Sequence, residues 1–135
     1  MVRRCLVAIV LTVVVSHLGF AQANPALFNV KKVYVEKMEN NLDQYITSEI
    51  SKQFRGSLQV VLEENKADAI LKGVNIGAQN TTKATIQMVD PTGKVILWSG
   101  TASDRDKNFA NLKHGGQEQI AENLIKGLKK AMQPK

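Results

Sequence analysis

"MVDPTGKVILWSG", residues 88–100, sets a turn between two apolar runs. Asp90, Pro91 and Gly93 take the first, second and fourth positions of a type I β-turn, where each residue type is favoured. With Gly93 left-handed, the chain reverses through a three-residue loop with a bulge, and the two runs become a β-hairpin. Gly93-Lys94 is not part of a phosphate loop, because the earlier glycine and the closing Ser/Thr of G-x-x-x-x-G-K-[ST] are both missing. Facing Asp90 with Lys94 pairs Met88 with Ile96 and Ile86 with Trp98 on one side of the sheet. Val89 then pairs with Val95, and Gln87 with Leu97, on the other. Both sides of this hairpin carry apolar residues.

Upstream, "KKVYVEK" (31–37) alternates, with Val33 and Val35 opposite Tyr34 and Glu36, and predicts a strand. The period then changes. Leu42, Tyr45, Ile46, Ile50 and Phe54 follow helical spacing over 41–55, with Asn40 or Asn41 as a cap and Gly56 at the stop. "SLQVVLEE" (57–64) returns to alternation through Leu58, Val60 and Leu62. "AILKGVNIGAQ" (69–79) predicts a third strand, weakened at Gly73 and Gly77. The hairpin supplies strands four and five. Ile120, Leu124, Leu128 and Met132 line one side of a closing helix over 117–132, whose basic "GLKK" suits a last turn. The order is β-α-β-β-β-β-α.

The first residues form a separate unit. "MVRR" is a positive start, "CLVAIVLTVVV" an apolar core, and Ala21-Gln22-Ala23 a signal-peptidase site. The apolar run is shorter than the roughly 20 residues a membrane span needs. Cleavage after Ala23 is therefore expected, leaving 24–135 as a single α/β domain with no stable membrane anchor. The chain has 18 basic and 12 acidic residues, a formal charge of +6. Residues 1–23 hold Arg3 and Arg4 and no acid, so the remainder carries +4. The bases are scattered without interleaved aromatics, which argues against a nucleic-acid partner. Cys5 is the one cysteine. The exported part thus has no disulfide, thiol nucleophile or thiolate metal site, a usage that favours a bacterial envelope over a eukaryotic secretory setting. Cys5 precedes the apolar core, so it cannot be a lipoprotein cysteine. The expected location is periplasmic or secreted. Asn80-Thr81-Thr82 has the form of a glycosylation acceptor but reads as a polar turn.

No residue constellation carries a reaction. His114 lacks a nucleophile partner such as a Gly-x-Ser-x-Gly elbow. Asp104 and Asp106 are interrupted by Arg105 and followed by Lys107, a poor cation setting without the rest of a calcium loop. Asp68 is expected to bond its local backbone at a turn. Trp98 reads as core rather than as a ligand platform. Glu63 and Glu64, adjacent on a strand, point to opposite faces and cannot act together as acid and base. The expectation is no catalytic residue, no cofactor and no metal.

Ala67, Asp68, Leu71 and Gly73, followed by Val89, Asp90, Thr92, Gly93 and Trp98, form two motifs. This pairing resembles a group of bacterial envelope domains that includes the N-terminal domain of TolB, the penicillin-binding-protein activator LpoB and the curli secretion protein CsgG. The resemblance implies a small mixed sheet with helices packed on one face, and function by binding proteins. Several of those proteins are lipid-anchored, and this chain lacks the anchoring cysteine. The partner surfaces of LpoB and CsgG have no counterpart here.

The expected architecture is α+β in two layers, a mixed five-stranded sheet with two helices on one face. Alternation assigns Val33, Val35, Leu58, Val60, Leu62, Ile86, Met88, Ile96 and Trp98 to the covered side. Tyr34, Val61, Val89, Val95 and Leu97 point the other way, with Leu71 a further candidate. A solvated face should be polar there, and an exposed apolar patch commonly marks an interface. The expected function is that of an exported, non-catalytic envelope module that binds a partner protein or a second copy through this face. The alternative is a periplasmic binder or sensor of a small anionic ligand, suggested by the charge and by the Gly115-Gly116 helix start.

Overall fold

A computed structural model describes residues 24–76, 83–104 and 116–134. After a 3-10 turn at Pro25–Asn29, the elements are β1 (Lys32–Val35), α1 (Leu42–Phe54), β2 (Gln59–Val61), β3 (Ala69–Ile76), β4 (Lys83–Val89), β5 (Ile96–Ser103) and α2 (Gln117–Met132). The strands form one sheet in the order β2-β1-β3-β4-β5. β1 runs parallel to β2 and β3, while β3–β4 and β4–β5 are antiparallel. The fold is the expected α+β arrangement of a mixed five-stranded sheet with two helices on one face. Its core joins Leu42, Ile46 and Ile50 of α1, and Ile120, Leu124, Ile125 and Leu128 of α2, to Val33, Leu71, Ile86 and Met88 of the sheet.

The start of α1 departs from expectation. Asn40 and Asn41 are both left-handed, at φ 57°, and Asn41 makes no side-chain cap bond. Side-chain capping needs an extended backbone at that position. Instead the Met38 N–H donates to Asp43 Oδ1 at 3.2 Å. The helix ends as Arg55 and Gly56 turn left-handed, at φ 49° and 94°.

The second strand is shorter than the sequence predicts. It ends at Val61, and Leu62, expected under the helices, is 92% exposed. The chain leaves the sheet there for a 3-10 turn at Glu64–Lys66. Glu63 and Glu64 thus lie in this connection and not on a strand; Glu63 pairs with Lys66 at 3.1 Å.

The hairpin turn forms as expected, but its register does not. The Gly93 N–H donates to the Asp90 carbonyl at 2.9 Å, and Gly93 is left-handed at φ 72°. The closing pair is Asp90 with Val95, whose carbonyl accepts the Asp90 N–H at 2.9 Å. The carboxylate of Asp90 organises the longer loop. It accepts the N–H of Lys94 at 3.0 Å, the N–H of Val95 at 3.1 Å and the Thr92 hydroxyl at 2.8 Å. These bonds, the Thr92 hydroxyl foremost, hold Asp90 below the ordinary carboxylate pKa. Beyond the turn Val89 pairs with Ile96 but Met88 pairs with Trp98, and Ile86 with Gly100. Leu97 is the extra residue of a β-bulge. Because the loop closes one residue later than expected, Ile96 leaves the helix side and Leu97 enters the core at 5% exposure; the bulge then returns Trp98 to the expected side. Trp98 packs against the core, as expected. Its indole crosses Gly100, where an added Cβ would overlap Cη2 and Cζ2, and it reaches Gly127 of α2.

Candidate interaction face

The four register pairs define one row across the whole sheet on the side away from the helices. Val61 is beside Tyr34, Tyr34 beside Ile70, Ile70 beside Val89, and Val89 beside Ile96. The flanking residues Val33, Ala69, Leu71, Met88 and Leu97 belong to the helix-side core, whereas none of the five row residues does. Strand alternation makes the row continuous, because in-register neighbours share a face. The next row, Lys72, Gln87 and Ser99, is polar. Beyond it the hydroxyls of Thr85 and Thr101 bond at 2.8 Å. The face is therefore one apolar band with a polar field beside it.

Of the residues expected on this face, Tyr34, Val61 and Val89 lie in the band. Val95 is in the adjoining loop, half exposed. Leu97 and Leu71 do not belong to it, since both are in the core under the helices. Ile70 and Ile96, which the sequence reading missed or assigned to the covered side, take their place. Ile70 could have been found by its alternation with Ala69 and Leu71; Ile96 could not, because the turn closes at Val95, one residue later than expected, and reverses its direction.

The band is not uniformly open. Ile70 and Val89 are buried, at 5% and 3%, whereas Ile96 is 52% exposed. Crossover handedness accounts for part of the cover. The step from β1 to β2 through α1, and the step back from β2 to β3, run in opposite directions along the sheet. Right-handed crossovers in opposite directions use opposite faces, which assigns the 62–68 connection, packed against β1, to the side away from α1. The most accessible part of the band is at the β5 edge, at Ile96, next to the half-exposed loop residue Val95.

Asp68 anchors the connection, though not in the expected way. Its Oδ2 accepts the N–H groups of Lys31 and Lys32, each at 2.9 Å, and its own N–H donates to the Lys32 carbonyl at 2.8 Å. The aspartate bonds backbone 36 and 37 residues away and locks the start of β3 to the start of β1. On the other side of the sheet, α1 and α2 meet around buried Glu49, which accepts from Gln53 Nε2 at 2.9 Å; Gln53 also donates to the Glu122 carbonyl at 3.2 Å.

His114, Asp106, Gly115 and the whole of 1–23 lie outside the described residues. Asp104 follows β5, with Oδ1 enclosed and without a hydrogen-bond partner among the described residues. Gly116 precedes α2 at φ 68° and makes no side-chain cap bond. Among the described residues, no group of three or more His, Cys, Asp and Glu side chains could hold a metal. No described helix is long and apolar enough to cross a membrane.

No protein-family profile and no curated protein matches the sequence. A dodecameric PelC variant from Paraburkholderia phytofirmans aligns over 76% of this chain and 86% of its own, at 14% identity and a TM-score of 0.43. Similarity at that level carries no argument about function.

Proposed function

We propose that this chain is an exported, non-catalytic protein-binding or assembly module of the bacterial envelope, which meets a partner protein or a second copy of itself through the sheet face away from the helices. The observation that carries the reading is the in-register band Val61–Tyr34–Ile70–Val89–Ile96, open at the β5 edge where Val95 and Ile96 are 44% and 52% exposed. Exposed apolar area beside an edge strand is the kind of surface that associates. The signal-peptide pattern of residues 1–23 and the resemblance to envelope domains support the location and the class.

The test is a paired substitution, Val95→Thr with Ile96→Lys. Both side chains are exposed, so the variant should melt as wild type does. Light scattering and crosslinking in envelope extracts should then show a lost oligomer or partner. An unchanged oligomeric state together with an unchanged crosslinking pattern would remove this face from consideration.

A second reading, a binder or sensor of a small anionic ligand, draws on the basic charge. Titration with small anions, monitored by thermal shift, separates it from the first.

A further inference from the structure

We propose that a cleft at the end of the molecule where both helices finish takes a small amphipathic carboxylate, an apolar chain or ring bearing one acid group. The inference deepens the anion-binding reading by naming a site and a ligand class, and it is independent of the sheet face. The cleft is half open to solvent, has a volume of about 180 Å³ and is lined by Phe28, Val30, Lys31, Phe54, Ser57, Lys129, Met132 and Gln133. Three separate stretches build it: the lead-in to β1, the end of α1 and the end of α2.

Its lining is mixed, with Phe28, Val30, Phe54 and Met132 as the apolar part and Ser57 and Gln133 as uncharged polar groups. Val30 and Phe54 are buried, and Phe28 stands 42% exposed on the rim, where a large aromatic gains from being covered. Its charge is of one sign. Lys31 and Lys129 are the charged residues of the lining, and no acid is among them. Lys52, Lys66 and Lys126 each pair with a glutamate on their own segment. Lys31 and Lys129 have no such partner among the described residues. Two ammonium groups beside an apolar wall attract an anion more strongly than they would in open water.

The helix ends do not cancel that charge. A helix C-terminus carries only about half a negative charge, and one terminal carbonyl of each helix is already bonded. Phe54 O accepts the Ser57 N–H at 3.0 Å and the Ser57 hydroxyl at 2.7 Å, and Lys130 O accepts the Gln133 N–H at 3.4 Å. The volume suits a short ligand, and the mixed lining suits one whose acid meets the lysines while its body lies on Phe28, Phe54 and Met132.

The experiment titrates the purified protein with sodium octanoate, 1-octanol and inorganic phosphate, by calorimetry and by amide chemical shifts. The expected result is saturable one-to-one binding of octanoate, about tenfold tighter than octanol or phosphate, a difference of about 1.4 kcal/mol. Shifts should centre on residues 28–31, 54–57 and 129–133. Lys31→Gln with Lys129→Gln should weaken octanoate about tenfold and leave octanol unchanged, whereas Lys126→Gln should have no effect. Phe28→Ala, at an exposed position, should weaken octanoate and octanol alike. Absence of saturable octanoate binding overturns the proposal. So does octanoate affinity that survives the double lysine change in a protein that melts normally. Equal binding of octanoate and phosphate at other residues would overturn it too, while leaving a general anion-binding reading intact.

Discussion

Asp68 and Asp90 do the same job at two scales of chain separation. Each seats its carboxylate on two backbone N–H groups: Asp90 on Lys94 and Val95, Asp68 on Lys31 and Lys32. Asp90 works within its own loop, four and five residues on. Asp68 works across 36 and 37 residues. The first arrangement forms once the hairpin turns. The second exists only after β1 and β3 lie side by side, so it reports the assembled sheet. One aspartate organises a turn and the other fastens a topology.

The largest expected effect lies where the hairpin stops being local. Trp98 lies across Gly100 and reaches Gly127, so Gly100→Val must expel the indole from its place against α2. A cost of about 3 kcal/mol is expected from the overpacking, with a shifted Trp98 fluorescence maximum. Unchanged fluorescence and stability would mean that the hairpin needs nothing from the helices.

Next is Asp68→Ala, which strips two N–H groups of a charged acceptor. Water can reach that site, so about 2 kcal/mol is expected, with faster amide exchange at Lys31 and Lys32. An equal loss with no change in exchange at those two amides would show that the long-range bonds are not what the aspartate contributes.

Gly93→Val should cost somewhat less, about 1–2 kcal/mol, because the left-handed backbone alone opposes it. No neighbouring atom stands within 4 Å of an added Cβ. Urea unfolding measures it, and a loss well above that range would point to contacts beyond the turn.

The smallest effect concerns the charge of Asp90. Its folded pKa is depressed, the Thr92 hydroxyl contributing most. The associated stability is present above the ordinary carboxylate value of about 4 and is lost as pH falls through the lower folded value. Asp90→Asn should thus be less stable than wild type at neutral pH, and the gap should close in strong acid. A gap independent of pH would assign the loop to hydrogen bonding without charge.

The same contrast explains what was legible in the sequence. The helix at Leu42–Phe54, the helix at Gln117–Met132, and the turn at Asp90–Gly93 were all readable, because each rests on a repeat or a residue preference within a few positions. The band face was legible in part. Tyr34, Val61 and Val89 follow from alternation counted within each strand. Leu97 and Ile96 exchanged faces because the turn closes at Val95 and not at Lys94, a one-residue shift invisible to the pattern, which the bulge at Leu97 undoes from Trp98 onward. The capping role expected of Asn40 or Asn41 failed for a related reason: residue type licenses a cap, but backbone angles decide whether the side chain can reach.

Local periodicity, then, was enough for the order of elements, the apolar stripe of each helix apart from Tyr45, which is exposed, and the reversal at Gly93, since periods of 2 and 3.6 residues are properties of neighbouring positions. The strand order β2-β1-β3-β4-β5, the register past Leu97, the reach of Asp68 and the meeting of Phe28, Phe54 and Lys129 at one cleft were decided only by the tertiary structure. Each depends on which backbone groups and side chains find partners dozens of residues away, and hydrogen bonds and apolar contacts select those partners by position in space.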